Sequence, residues 1–440
     1  MSSAASTMPD FTGCVLDERY QLLRLLGSGT YGVVYQAVDT HPSADPESLY
    51  RAIKIISKVN RKKSELGTVR REIALQTLVA GHPNVVTLQD AFEDDAYFYI
   101  ILDFYRGGDL FDHICDKRTY VYNDELLRKA FVSLVDALQA CHDAKVYHRD
   151  LKPENILTNE DGSEVYLADF GLATDRAIVS DFGCGTKIYM SPECVGREFG
   201  YKPYCTRFSD IWALGVILIN MICGRHPWQK ATMEDHCFRR FVHDPNFLLD
   251  VLPISEGAND ILQRIFALNP LSRIALPDLR QAILELDTFF LQEDELSQAG
   301  EYAQVAAAEL KEFRARADSA RATFANAEGP CREMDIGDAV PERDARSSSP
   351  AATPCSQSTF EASEIDIPAF SCRGTRDCSA GSAVDSPISS RASSADSSAV
   401  VTPGATTFPV VCEEKDIGEC MWEKGADDGE YLISRLSLRL

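Results

Sequence analysis

The stretch Tyr147-His148-Arg149-Asp150-Leu151-Lys152-Pro153-Glu154-Asn155 constrains this chain more than any other. An acid stands two residues before a lysine and five before an asparagine. Asp150 can take a proton from a hydroxyl. Lys152 can steady negative charge on a group in transit, and Asn155 can hold a hard metal ion through its amide oxygen. Fourteen residues after Asn155 comes Asp169-Phe170-Gly171, a second acid able to hold metal. A fold that serves this chemistry must bring the two segments to one point.

The H-R-D…N and D-F-G segments, in this order and spacing, resemble those of protein kinases. The resemblance runs over residues 20–289. It implies an α+β, bilobal fold, with a small β-rich lobe carrying one main helix and a larger α-rich lobe. It also implies ATP and Mg²⁺ as cofactors, Asp150 and Lys152 as catalytic groups, and Asn155 and Asp169 as metal ligands.

Gly27-Ser28-Gly29-Thr30-Tyr31-Gly32 lies between the strand-like runs Gln21–Leu26 and Val33–Val38. A dinucleotide fold would place a helix after such glycines; here β-branched residues and Tyr35 follow, so a hairpin is predicted. Taken alone it could equally be an ordinary glycine-rich hairpin, though the missing side chains let backbone N–H groups approach phosphates. Lys54 lies inside the apolar strand Ala52–Ile56 and needs a partner or a ligand there. The resemblance assigns it to the α/β-phosphates, paired with Glu72 on the next helix. Glu65, in the basic, loop-like NRKKSELG stretch, is the alternative partner.

Gln76, one turn after Glu72, departs from the family, which usually has an apolar residue there against the D-F-G phenylalanine. Val85–Leu88 and Tyr97–Leu102 read as strands. By resemblance Asp103-Phe104-Tyr105 is a hinge whose backbone at Asp103 and Tyr105 reads adenine, and Leu26, Val34, Ala52, Leu102, Leu157 and Ala168 wall the base. Asp109 either accepts from ribose hydroxyls or a substrate arginine, or caps the helix that follows; Glu154 is the other acid placed at the site.

Leu126–His142 has helical apolar spacing and reads as core. His148 is expected to bridge the catalytic loop to the D-F-G backbone, and Asp210 to hold that loop. Thr186 precedes Glu193 by seven residues, where Ser/Thr-directed kinases place a threonine on the catalytic aspartate and lysine. Glu193 is expected to pair with Arg273. Phe182 occupies the position where kinases with an arginine before the catalytic aspartate often carry a phosphate. Either Asp181 serves Arg149 as a permanent anion or Phe182 packs the loop. Helices are expected near 232–243, 257–268 and 275–286. The segment from Gly183 to Cys194 further resembles a fungal group of Ser/Thr kinases that regulate nutrient responses and meiosis.

The formal charge, 44 − 67 = −23, argues against a general nucleic-acid or anionic-membrane binder. Fourteen cysteines without a metal-ligand spacing predict reduced thiols, hence a cytoplasmic and/or nuclear location. The longest apolar run, Ile211 to Cys223, spans 13 residues, too few to cross a bilayer. Residues 1–19 read as a flexible lead-in and 290–328 as a helical extension that docks on the lobe, docks on a partner or stays solvated. Residues 329–411 read as a disordered Ser/Thr/Pro-rich segment, and 412–440 as a docking segment for regulators. Expected partners are protein substrates with Ser/Thr acceptors. The rivals are a scaffold that has lost catalysis, and a small-molecule phosphotransferase of related fold.

Overall fold

Residues 4–29, 32–41, 49–59 and 61–327 are described by a computed structural model of the 440-residue chain. Thr30, Tyr31 and the segments 329–411 and 412–440 lie outside the described residues. The small lobe is an antiparallel sheet in the order β1-β2-β3-β4-β6-β5. Its strands are β1 (Val15–Leu16), β2 (Tyr20–Ser28), β3 (Gly32–Asp39), β4 (Tyr50–Ser57), β5 (Leu88–Glu93) and β6 (Tyr97–Asp103). Side chains alternate across a strand with period two. Val33, Tyr35 and Ala37 of β3 pack with Tyr20, Leu22, Ile53, Ile55 and Tyr99 on the outer face. Val34 and its register partner Lys54 therefore belong to the opposite face. There α1 (Lys63–Val79) lays Val69 and Ile73 against Ile56, Phe98 and Ile100.

Three expectations about this lobe are corrected. Residues 4–19 are no loose lead-in. Ala4 and Phe11 are buried in the outer core, and β1 adds to the sheet edge. Val85–Leu88 is not a strand. Val86 N–H donates to the Leu167 carbonyl at 2.9 Å and Leu167 N–H to that of Asn84 at 2.8 Å, so this segment spends its backbone on the other lobe and the strand starts at Leu88. Glu65 is not in a loop: it lies in the first turn of α1, where its carboxylate accepts the Lys62 N–H at 2.8 Å and caps the helix.

The large lobe is built on α2 (Asp124–Asp143) and α4 (Thr206–Cys223). Between them lie β7 (Ile156–Thr158), β8 (Val165–Leu167), β9 (Ile178–Val179), α3 (Pro192–Val195) and β10 (Tyr204–Cys205). After them come α5 (His236–His243), α6 (Phe247–Val251), α7 (Glu256–Ile265) and α8 (Leu276–Glu285). A helix apolar on all sides is a buried helix. α4 is long and apolar enough to cross a membrane, yet from Asp210 to Cys223 every residue is buried in the lobe. Gly215 is required there, because a Cβ would come within 2.6 Å of Ile265 and Phe266.

The extension forms α9 (Glu301–Ala327), and of its expected positions it docks on the lobe. Of the apolar positions expected to form its stripe, Leu310 is buried and Leu296 packs against Ala303 and Ala307, but Tyr302 and Val305 are exposed, and Ala303, Ala306 and Ala307 supply the rest of the contact.

Candidate active site

Strand β4 aims Lys54 at the seam between the lobes, and α1 brings Glu72 to meet it. The ammonium lies 2.6 Å from Glu72 and 2.9 Å from Asp169 of the other lobe. Burial alone would lower the Lys54 pKa, but the carboxylates of Asp169 and Glu72 outweigh it and raise it. Lys54 in turn holds Asp169 down to about 2, whereas burial, reinforced by the like charge of Asp169, pushes Glu72 up. Of the two candidate partners, Glu72 is the one that meets Lys54.

Gln76 neither breaks α1 nor stays unpaired. It is buried, and its side-chain amide donates to the Val86 carbonyl at 3.1 Å. Because Val86 is itself bonded to β8, a polar residue here ties α1 to the second lobe by hydrogen bond.

The catalytic loop hangs from α4. Asp210 accepts the N–H groups of His148 at 3.0 Å and Arg149 at 2.8 Å, with His142 Nε2 at 2.9 Å. His142 was not singled out by sequence; a histidine at the buried end of an amphipathic helix was the available signal. His148 bridges as expected. Its Nδ1 accepts the Asp150 N–H at 3.3 Å, which leaves the proton on Nε2 for the Ala168 carbonyl at 2.9 Å. Arg149 and Asp169 both hold left-handed backbone, with φ of 69° and 59°. Non-glycine residues keep that conformation only where surrounding bonds over-determine it.

Around Asp150 the donors converge. Thr186 Oγ1 donates to Oδ1 at 2.9 Å, Asn155 Nδ2 to Oδ2 at 3.1 Å, and Lys152 Nζ lies 3.2 Å from both Oδ2 and Thr186 Oγ1. Burial would lower the Lys152 pKa, but Asp150 outweighs it and raises it. Gly185 makes room for this arrangement: its φ is 102°, and a Cβ would stand 2.5 Å from the Arg149 carbonyl. Asn155 commits its amide nitrogen to Asp150, bonding the Asp150 carbonyl as well at 2.9 Å. That leaves its amide oxygen, with the half-exposed Asp169 carboxylate, as hard oxygen donors. The pair fits a hard divalent cation, whose chemistry is to neutralise phosphate charge.

The residues predicted to wall a base occupy adjoining strands. Gly27 pairs with Val34, Val34 with Lys54, and Ala52 with Leu102 across β2, β3, β4 and β6. Leu26 precedes Gly27 near the end of β2. In the large lobe Leu157 bridges Asp109, and Ala168 N–H donates to Asn155 at 2.9 Å. Asp103 ends β6, and Tyr105 stacks on Tyr166 with centroids 3.9 Å apart. Asp109 caps its helix, accepting the Asp112 N–H at 2.9 Å, so the capping alternative is realised. Glu154 is exposed on the 3₁₀ turn before Ile156. Ser28 pairs with Val33 and the Gly29 N–H donates to the Gly32 carbonyl at 2.9 Å, while the Ser28 hydroxyl and the Gly29 carbonyl also accept from the N-terminal arm.

The segment from Asp169 to Glu193, the activation segment by resemblance, uses both expected devices. Arg149 Nη2 meets Asp181 at 3.3 Å. Phe182 packs edge-on to Tyr201 at 5.4 Å and beside Tyr204 at 5.9 Å, in a cluster with Val179, Met190, Cys194 and Val195. Glu193 and Arg273 form the expected pair, buried and bidentate, with one contact at 2.8 Å. Breaking such a pair from one side costs roughly 3–5 kcal/mol.

A profile of the protein kinase domain matches residues 20–284, more than half of the chain. The chain belongs to the protein kinase family. Its kinase domain is similar to the "Negative regulator of sexual conjugation and meiosis" of Schizosaccharomyces pombe, 41% identical over 288 residues, which cover 61% of this chain and 60% of the relative. It is also similar to serine/threonine-protein kinase SKS1 of Saccharomyces cerevisiae, 38% identical over 241 residues, 52% of this chain and 47% of the relative. Serine/threonine-protein kinase ksp1 of S. pombe is 33% identical over 284 residues, 63% and 59%. The chain thus spans about half to three fifths of these relatives. Kinase domains take ATP as donor together with a divalent metal and act on protein substrates.

Proposed function

We propose that this chain is an ATP-dependent protein kinase that phosphorylates serine and threonine hydroxyls, with Mg²⁺ as the metal at Asn155 and Asp169. One observation carries the reading. The Thr186 hydroxyl sits on the Asp150 carboxylate at 2.9 Å with Lys152 beside both, and a substrate hydroxyl arriving there finds a base and a charge-steadying cation already placed. Lys54 holds the donor phosphates. Asp150 orients and deprotonates the acceptor. Transfer then depends mainly on positioning and charge neutralisation.

Work in signalling, in the cytoplasm and/or nucleus, fits the free thiols of all eight described cysteines. Residues 412–440 are the proposed docking segment for regulators. Incubation of the chain with labelled ATP, Mg²⁺ and a generic protein substrate should yield labelled phosphoserine and phosphothreonine. Label on small molecules alone, or none on protein, would sink the reading. A degenerate-peptide screen then reports the flanking preference.

A further inference from the structure

Asn220 is buried in the last turn of α4, and its side-chain amide is fully used. The Tyr189 hydroxyl donates to its Oδ1 at 3.0 Å. Its Nδ2 donates to the Arg225 carbonyl at 2.7 Å and to His226 Nδ1 at 3.0 Å. Burial lowers the His226 pKa, which keeps Nδ1 an acceptor. An acceptor and two donors on one planar head are what an amide offers and a carboxylate does not.

The amide joins two distant parts of the molecule. On one side, Tyr189 is buried beside the catalytic loop, in the wall of a small cavity with Arg149, Asp150, Cys184 and Thr186. Its N–H donates to the Thr186 carbonyl at 2.9 Å. On the other side, Arg225 belongs to the turn that ends α4. Gly224 closes that helix in left-handed backbone, φ 65°, and its N–H donates to the Asn220 carbonyl at 2.7 Å. α9 reaches the same turn: Glu309 lies 2.9 Å from Arg225 Nη2, and Leu310 joins the apolar core that holds Met221 and Cys223.

We propose that Asn220 is a positioning residue for the protein acceptor, bracing Tyr189 and the Thr186 segment against a turn that the seated α9 holds. The inference rests on reading Thr186 and Asp150 as the place where the acceptor hydroxyl arrives. The brace touches neither nucleotide nor the reacting groups. Its effect belongs in affinity for protein substrate, and α9 serves the acceptor site without lining it. Contacts in series carry coupling only where a change at one end alters the cost of a change at the other.

The test compares the full chain with four variants. Tyr189→Phe removes one hydroxyl. Asn220→Asp keeps the acceptor but loses both donors to the turn. Glu309→Arg sets two cations together on the exposed rim, and the fourth variant combines Tyr189→Phe with Glu309→Arg. The first readout is hydrogen–deuterium exchange over residues 184–194 and 220–228 without nucleotide. It needs no catalysis, so it decides whether the brace exists even if no form transfers phosphate, the outcome that would overturn the kinase reading instead. The second is KM for a generic protein substrate, KM for ATP and kcat. Tyr189→Phe should speed exchange at 186–191 and raise KM for the protein substrate about fivefold, the scale of one net hydrogen bond, with KM for ATP and kcat nearly unchanged. Asn220→Asp should speed exchange at 224–228 and match that rise. Glu309→Arg should raise the same KM about twofold, the scale of an exposed pair. The combined variant should stay near fivefold, about the effect of Tyr189→Phe alone. Unchanged exchange and protein-substrate KM in Tyr189→Phe overturn the brace. A lowered kcat with both KM values intact marks lost fold and overturns the positioning role. Effects that multiply in the combined variant overturn the part of α9.

Discussion

Asp150, the proposed base, receives Thr186, Asn155 and Lys152 on its two carboxylate oxygens, and none of the three could take its place. Asp150→Ala should lower phosphoryl transfer by at least ~10²–10⁴-fold, the usual share of a general base. Nucleotide affinity, measured by titration, should remain, because Lys54 and the hairpin are untouched. Lys54→Arg should also impair transfer: a planar guanidinium cannot reproduce one ammonium point contact shared by Glu72 and Asp169. Asp169 carries a pH signature. Its folded pKa is lowered to about 2 from 3.8. A depressed carboxylate contributes stability that is present above the unfolded value and lost as pH falls through the folded one. Thermal unfolding of wild type and Asp169→Asn should therefore diverge above about pH 4 and converge towards pH 2. A gap that stays constant across that window would contradict the Lys54–Asp169 pairing.

The activation segment rests on apolar packing more than on charge. Asp181 is largely exposed, 72% by side chain, and exposed pairs contribute little. Phe182, among Tyr201, Tyr204 and the Val179–Val195 cluster, is the firmer anchor, and Gly196 approaches it so closely that a Cβ would lie 2.7 Å from the ring. Ser180→Ala should keep kcat within about twofold, as surface substitutions do. Phe182→Ala should lower kcat/KM by roughly tenfold, since the segment loses the ring that packs it on Tyr201 and Tyr204. Strict dependence on phosphorylated Ser180 would defeat this account.

Sequence disclosed this segment because the substitution was a large aromatic at one known position. It disclosed less about α1. Lys62 to Glu65 is polar and precedes Gly67, so its helical start shows only through the Glu65 cap. Val85 and Val86 look like strand because β-branched residues suit a pleated surface, yet the backbone on either side of Val85, at Asn84 and Val86, bonds to Leu167 and tethers the lobes.

The motifs that placed the site are short and polar, so their roles survive without knowledge of packing. The margins of the molecule are held by contacts that no motif marks. The arm over the small lobe has one large apolar anchor, Phe11, within a run that otherwise resembles a loose terminus. At the other end α9 misleads because hydrophobic pattern weights large side chains, whereas a helix seated closely on its neighbours needs small ones. Gly300 lies so near Asp250 that a Cβ would stand 2.3 Å from its carbonyl oxygen, and Ala303, Ala306 and Ala307 follow on the buried face. The rim is polar: Arg225 pairs with Glu309 at 2.9 Å, Arg314 donates to the Val121 carbonyl at 3.2 Å, and Arg118 lies over Phe313 at 4.8 Å.

Ala307→Arg in the full chain drives a long cation into this seat, where Tyr122 Oη meets the Ala307 carbonyl at 3.4 Å. Losing the seat exposes Leu310 and the alanines, about 2–4 kcal/mol at ~25 cal/mol per Å². The unfolding midpoint should fall by roughly 5–10 °C, at about 2–4 °C per kcal/mol for a domain of this size. Tyr302→Arg, on the exposed face of the same helix, should leave it nearly unchanged. Equal effects from the two substitutions would mean that α9 does not rest on its alanine face, since only a seated helix distinguishes positions five residues apart.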